Sequence, residues 1–352
     1  MNCKAPTIAI RKAGINPATN HPYKPHQFIE FRDDETFIRT YYQQKAIERT
    51  MDYEVLVLPC TKCLLCIQAK RRSWACRCIN EAQMSNGGVF LTLTCSDESQ
   101  PRTFPNGSLD HRPWQLFVKR LRKSNALISR KDGSRTDRVR FFMCGEYGEK
   151  HHRPHYHALL FGVDFPDRRW VGRSGSGMDL YGSKLLDELR YDADGREIFG
   201  PVSNFSDLSP YDISYTVGYV DKKLGRFDPK VYESRGLKPE YVCMSRRPGI
   251  GLSWLEKYHG DVWKFYQDEC IFEGVNATSD FRYQVPRYYF DKSKVSGLLS
   301  QTQCDTILAQ RKGRSLELSS DPSTMLESLK RAHDRCAIKE HELMVVKAPR
   351  QF

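Results

Sequence analysis

The segment "RPHYHALLFG", residues 153–162, constrains the fold more than any other stretch of the chain. His155, Tyr156 and His157 run straight into an apolar segment that reads as a buried strand. A second strand pattern, "RVRFFMCGEYG" (138–148), precedes it with only "EKHHRP" between. So short a link makes the two strands partners, and a sheet must therefore lie at the centre of the fold. Successive side chains on a strand point to opposite faces, so His155 and His157 project together and Tyr156 projects away from them.

Two imidazoles on one pleated face offer two points of attachment for a metal ion. If the strands pair as a hairpin, a residue near 146 lies opposite 155 or 157, and directly opposed residues share a face. Glu146 is therefore the best candidate for a third ligand. A His–His–Glu set of nitrogen and oxygen donors suits Mn²⁺ or Mg²⁺ in an open site as well as Zn²⁺. Such an ion polarises a phosphoryl oxygen as a Lewis acid. The competing reading is a chance H-x-H beside a polar loop that holds His151 and His152.

The rest of the chain alternates strand and helix signals. "YEVLVLPC" (53–60) reads as a strand ending at Pro59, and residues 66–84 read as a helix stopped by Gly87 and Gly88. In "VFLTLTC" (89–95), Phe90, Thr92 and Thr94 alternate with Leu91, Leu93 and Cys95, which predicts one wetter and one drier face. Helices are expected over 112–124, 183–190, 209–225 and 319–343, with Trp114, Phe117 and Leu121 sharing one face of the first. Residues 1–50 carry no clear period. These elements predict an α+β fold divided into an N-terminal region with a cysteine cluster (1–85), a core (86–226), a basic and aromatic extension (227–290) and a partly helical C-terminal region (291–352).

Fifty-five basic against 43 acidic residues give a net charge of +12, which favours an anionic partner such as nucleic acid. The blander reading is a basic but otherwise ordinary surface. Helices bearing Lys70, Arg71, Arg72 and Arg77, and Lys119 to Lys123, are candidates to grip phosphates. Arg246 and Arg247 in "SRRPG" are candidates to contact DNA. Trp254, Tyr288 and Tyr289 could stack on bases, although each also suits a core. No apolar run is long enough to span a membrane, and no apolar core follows the N-terminal charges, so the expectation is a cytosolic protein.

Cysteines in such a chain are expected as reduced thiols, metal ligands or core residues rather than disulfides. Cys60, Cys63 and Cys66 form C-x-x-C-x-x-C, and Cys76 and Cys78 follow on the expected helix. With Cys76 as the fourth ligand, the spacing suits a structural Zn²⁺ site. An iron–sulfur cluster, or packing as small hydrophobes, are the other readings.

Tyr215 and Tyr219 are one helical turn apart and share a face, with Lys222 and Lys223 three and four residues beyond Tyr219. A phenol has a pKa near 10, and a neighbouring ammonium favours the phenolate and holds a phosphate oxygen. By themselves two such tyrosines suit core packing. Together with a metal platform and a basic chain they suit attack on a DNA phosphate.

The order "FLTLTC", "GEYGEKHHRPHYHALLFG", "YTVGYVDKK" resembles the three motifs of the HUH endonucleases. With "LPCTKCLLC", "LFVKRLRK" and "MSRRPGIG", it resembles the replication initiation proteins of gokushovirus-type microviruses over roughly residues 53–290. The resemblance implies a central antiparallel sheet carrying the histidines and a packed helix carrying the tyrosines. It implies Mg²⁺ or Mn²⁺ held by His155 and His157, with Glu146 a third ligand. Tyr215 and Tyr219 would be nucleophiles, and Lys222 the assisting base or phosphate contact, with Lys223 beside it. The implied reaction nicks the origin of the phage replicative-form double-stranded DNA and frees a 3′-OH. Rejoining then circularises the displaced single strand. A host helicase and DNA polymerase are the implied partners, in the host bacterial cytoplasm. Two departures stand out: Cys95 ends the first motif where an aromatic is expected, and Asp221 separates the second tyrosine from the lysines. The alternatives are a non-catalytic, zinc-containing nucleic-acid-binding protein and an HUH nickase of a plasmid or transposon.

Overall fold

The computed structural model describes residues 3, 5–18, 21–30, 33–48, 51–85, 87–95, 104–124, 139–148, 152–175, 177–201, 203–222, 229–264, 270–271, 282–283, 285–317 and 321–347, with side chains excluded at some positions inside helices and strands. The chain forms a mixed α+β structure with antiparallel sheets and divides into two units, one of residues 1–70 and 299–352 and the other of residues 71–298.

The second unit is built on a seven-stranded sheet in which every pairing is antiparallel. Its spatial order is Tyr241–Met244, Arg140–Tyr147, Pro154–Phe161, Gly88–Thr94, Asn204–Asp207, Asp179–Gly182, Arg169–Arg173. The hairpin expected from residues 138–162 is present, with Glu146 opposite His155 and Cys144 opposite His157. On its other side the histidine strand pairs with Gly88–Thr94, setting Thr94 opposite His155 and Thr92 opposite His157.

Alternation gives this sheet two apolar faces of different character. Val89, Leu91, Leu93, Tyr156, Ala158 and Leu160 pack under the helix His111–Leu121, whose Trp114, Phe117 and Leu121 are buried. On the other face Phe142, Leu159 and Phe161 meet Ile213 and Val217 of the helix Pro210–Lys222 and Cys78 of the helix Leu64–Met84. The histidines lie on this second face, where the apolar packing gives way to polar side chains. The hairpin Arg169–Arg173 with Asp179–Gly182 and the two short strands Asn204–Asp207 and Tyr241–Met244 carry too little periodic signal to be expected from the sequence.

A buried polar joint supports the face. Arg140, at the start of its strand, pairs with Glu81 and donates to the Pro248 carbonyl at 2.9 Å, while the Gly251 amide donates to Glu81 at 2.6 Å. Arg77, expected to grip phosphate, is buried instead: its guanidinium lies 4.0 Å from the Trp74 ring centroid and 3.7 Å from that of Tyr288, and donates to the Ile250 carbonyl at 3.0 Å. Tyr289 and Trp254 are core residues too. Their rings stack at 6.1 Å, so neither is available to a base.

In the first unit a three-stranded sheet, Gln27–Ile29, Thr7–Lys12 and Tyr53–Leu58, packs against the helices Asp34–Glu48 and Pro322–Lys347 through Ile8, Ile10, Phe37, Val55 and Leu329. Its strands Thr7–Lys12 and Tyr53–Leu58 pair with Thr7 opposite Leu58. Residues 1–50 thus contain regular structure that the sequence pattern does not announce. Among the described residues, no helix is long and apolar enough to cross a membrane.

Candidate active site

The helix Pro210–Lys222 begins where its sequence provides a cap. The Ser209 amide and hydroxyl both donate to Asp212 Oδ2, at 2.9 and 2.6 Å, and the Asp212 amide donates back to Ser209 Oγ at 3.2 Å. This reciprocal arrangement satisfies donors that a helix start otherwise leaves orphaned, and Pro210 occupies the first turn, where no amide is missed. The preceding residue is tied to the sheet by a bond from the Leu208 amide to the Gly88 carbonyl, at 3.1 Å. With Ile213 and Val217 buried against the sheet, Tyr215 emerges beside the histidine strand.

The Tyr215 ring stands edge-on to His157, with centroids 5.8 Å apart, and edge-on to Phe90 at 5.9 Å. It is nevertheless 42 % exposed, so the phenol is open to a ligand from solvent. Phe90 in turn stacks on His157 at 5.7 Å, and the two imidazoles are nearly parallel with centroids 6.4 Å apart. Tyr215, His155, His157 and Glu146 are therefore gathered on one face of the sheet. The side chains of Tyr219, Asp221 and Lys222, and all of Lys223, lie outside the described residues.

Polar contacts orient each ligand candidate. His157 Nε2 is 2.9 Å from Glu146 Oε1 and its Nδ1 is 3.1 Å from Thr92 Oγ1. Both His157 and Glu146 are buried. His155 Nδ1 lies 2.7 Å from the Arg153 carbonyl, which can only accept, so Nδ1 carries the proton and Nε2 keeps its lone pair. Burial holds the His155 imidazole below its usual range, against the opposing pull of that carbonyl, and so favours the neutral form that a metal needs.

The donor set fits a divalent ion: cis ligands of an octahedral Mg²⁺ at about 2.1 Å stand about 3 Å apart, close to the His157–Glu146 separation. His155 is more distant. Among the described residues, only a cysteine group gathers three or more such side chains with all ligand atoms within 4.8 Å of one another.

Arg71 belongs to the same neighbourhood. Its Nη2 donates to the Ser214 carbonyl at 3.4 Å and lies 3.0 Å from where a Cβ on Gly218 would stand. Gly218 therefore lets a guanidinium approach the helix in the turn between Tyr215 and Tyr219. The sequence marks Arg71 only as one of a run of basic residues; the glycine three residues after Tyr215 is the signal that singles it out. Cys95, the departure in the first motif, is buried with Tyr156 on the far face of the sheet and takes no part in this constellation. Arg246 and Arg247 are exposed and border a cavity of about 640 Å³ lined also by His111, Trp114, Arg122 and Arg140.

The cysteines assemble differently from the expectation. Cys60, Cys63 and Cys66 are joined by Cys3, not by Cys76. Cys76 is buried on its helix, within 3.8 Å of Asn80 Nδ2, and its place is taken because the strand Thr7–Lys12 brings residue 3 alongside residue 60.

Comparison with known proteins agrees with the resemblance carried by the motifs. Residues 88–224, from the strand of Thr92 through the tyrosine helix, match the family model of the replication-associated protein ORF2. The chain is 29 % identical over 252 residues to the replication-associated protein VP4 of Bdellovibrio phage phiMH2K, covering 71 % of each chain. It is 28 % identical over 236 residues to the replication-associated protein ORF2 of Spiroplasma virus 4, covering 66 % of each. With the replication-associated protein ORF4 of Chlamydia phage 1 it shares 25 % over 302 residues, which is 82 % of this chain and 66 % of that one. No solved structure matches the chain.

Proposed function

Because this chain is a relative of the replication-associated proteins of small phages, we propose that it initiates rolling-circle replication by nicking its phage origin through a tyrosine–DNA intermediate. The observation that carries the reading is the approach of an exposed Tyr215 to the His157–Glu146 pair, with His155 on the same face.

His155, His157 and Glu146 would hold Mg²⁺ or Mn²⁺, which when bound polarises the scissile phosphoryl group. The Tyr215 phenolate oxygen attacks the phosphorus, forming a tyrosine O–P bond to the 5′ end. The bond from phosphorus to the 3′ oxygen breaks, and that oxygen takes up a proton to become the 3′-OH primer. Arg71 approaches the tyrosine helix where a phosphate oxygen needs a cation, and Lys222 serves as the base or second phosphate contact. Tyr219, one turn on, performs the second cleavage, and transfer of the strand to the free 3′-OH closes the circle. Arg246, Arg247 and Lys223 contact the DNA backbone, and a host helicase and polymerase extend the primer. The supporting DNA contacts make binding salt-dependent.

The test is incubation with Mn²⁺ or Mg²⁺ and a labelled oligonucleotide spanning the candidate origin, followed by denaturing electrophoresis. Wild type is expected to carry label covalently, Tyr215→Phe and Tyr219→Phe to rank the two nucleophiles, and the double variant to carry none. Tight binding without a covalent product in either metal would sink the nicking reading and leave a DNA-binding protein.

A further inference from the structure

We propose that Cys3, Cys60, Cys63 and Cys66 hold a structural Zn²⁺ ion that fastens residue 3 to the entrance of the helix Leu64–Met84. The four sulfurs all lie within 4.8 Å of one another, and Cys60 Sγ and Cys66 Sγ are 4.0 Å apart. Zn²⁺ with bonds of about 2.3 Å to four thiolates sets its sulfurs about 3.8 Å apart, so the cluster already has close to the span the ion requires.

The backbone around the sulfurs is arranged to support thiolates. The Cys60 amide donates to Cys3 Sγ at 3.1 Å, and the Cys63 amide donates to Cys60 Sγ at 3.2 Å. Amide donors aimed at sulfur stabilise the negative charge that a ligating cysteine must carry. Thr61 adopts a left-handed conformation, φ 62°, which turns the chain so that Cys60 and Cys63 face the same point. The four ligands complete a tetrahedron without an open position, which makes the site structural rather than catalytic.

Register accounts for the fourth ligand. Thr7 pairs with Leu58 in an antiparallel ladder, so continuing the two chains beyond their strands carries residue 3 back toward residues 60–63. The same metal would hold the end of this strand pair and the first turn of the helix together. Cys63 and Leu64 also pack with Leu65, Ala332 and Cys336, so the clamp sits beside one of the small apolar clusters of this unit. Small cores gain much from such a staple.

The experiment is metal analysis of the purified full chain by plasma mass spectrometry, with competition by a chromogenic chelator, in wild type, Cys3→Ser and Cys76→Ser. Wild type and Cys76→Ser are expected to retain one equivalent of zinc. Cys3→Ser is expected to yield it more than about 100-fold more readily, beyond the 10- to 100-fold that loss of a supporting contact costs. Co²⁺ titration of the wild-type chain supplies a readout that does not depend on how the variants fold: a tetrahedral all-thiolate site gives strong sulfur-to-cobalt absorption. Zinc held equally well by Cys3→Ser, its loss from Cys76→Ser, bound iron in its place, or cobalt without thiolate absorption would each overturn the proposal. None of these outcomes bears on the nicking reaction, which is measured separately.

Discussion

Glu81→Gln isolates the contribution of the buried charge pair beneath the histidine face. Glu81 receives two bonds from Arg140 and one from the Gly251 amide, and the paired side chains are only 5 % and 9 % exposed. At that depth solvent screens the pair little, and removing one charge leaves the Arg140 guanidinium uncompensated. Breaking a buried pair costs about 3–5 kcal/mol. The glutamine oxygen still accepts one bond, so the low end, about 3 kcal/mol, is expected. For a unit of residues 71–298, each kcal/mol moves the transition by about 2–4 °C, which gives a fall of about 6–12 °C. Far-ultraviolet circular dichroism during heating reads the shift. Replacing both partners, as Glu81→Leu with Arg140→Met, removes the orphaned charge and should recover most of the loss. A fall under about 2 °C for Glu81→Gln, or a double variant no more stable than the single one, would refute the argument.

Other perturbations probe the site itself. Glu146→Gln keeps the shape but removes the anionic ligand, so Mn²⁺ affinity by calorimetry should fall about tenfold or more, and covalent product with it. Burial raises the Asp212 carboxyl above its usual 3.8, against the bonds from Ser209. The unfolded chain ionises this group first as pH rises, so Asp212 withdraws stability from the unfolding equilibrium above pH 3.8. Asp212→Asn should therefore unfold at a higher temperature than wild type at neutral pH, and the difference should vanish as the pH falls below 3.8. An advantage that grew in acid would contradict the sign.

The site was legible in the sequence where local rules govern it. Period-two alternation put His155 and His157 on one face, the short link after Tyr147 fixed the hairpin, and opposition within that hairpin put Glu146 across from His155. The tyrosine helix was legible from its cap, Ser209 and Pro210. What escaped depends on partners distant in the chain. Arg77 looks like any other cation on a basic helix until Tyr288 is folded against it. Cys3 gives no hint of its role because the strand that carries it back to Cys60 was hidden in a segment without evident period. Arg71 could be picked from its neighbours only by knowing that Gly218 leaves it room.

The histidine strand is an interior strand, laddered to Arg140–Tyr147 on one side and Gly88–Thr94 on the other. Slipping it by one residue would require breaking both ladders at once, and would turn Tyr156 toward the nucleophile in place of His155 and His157. Ligand placement is therefore locked twice over by backbone pairing. The outer hairpin, Arg169–Arg173 with Asp179–Gly182, is three pairings removed from the histidines. Lengthening its turn would be absorbed at the rim, making that turn the place to attach a fluorescent reporter or a tethering tag while the catalytic face stays in register.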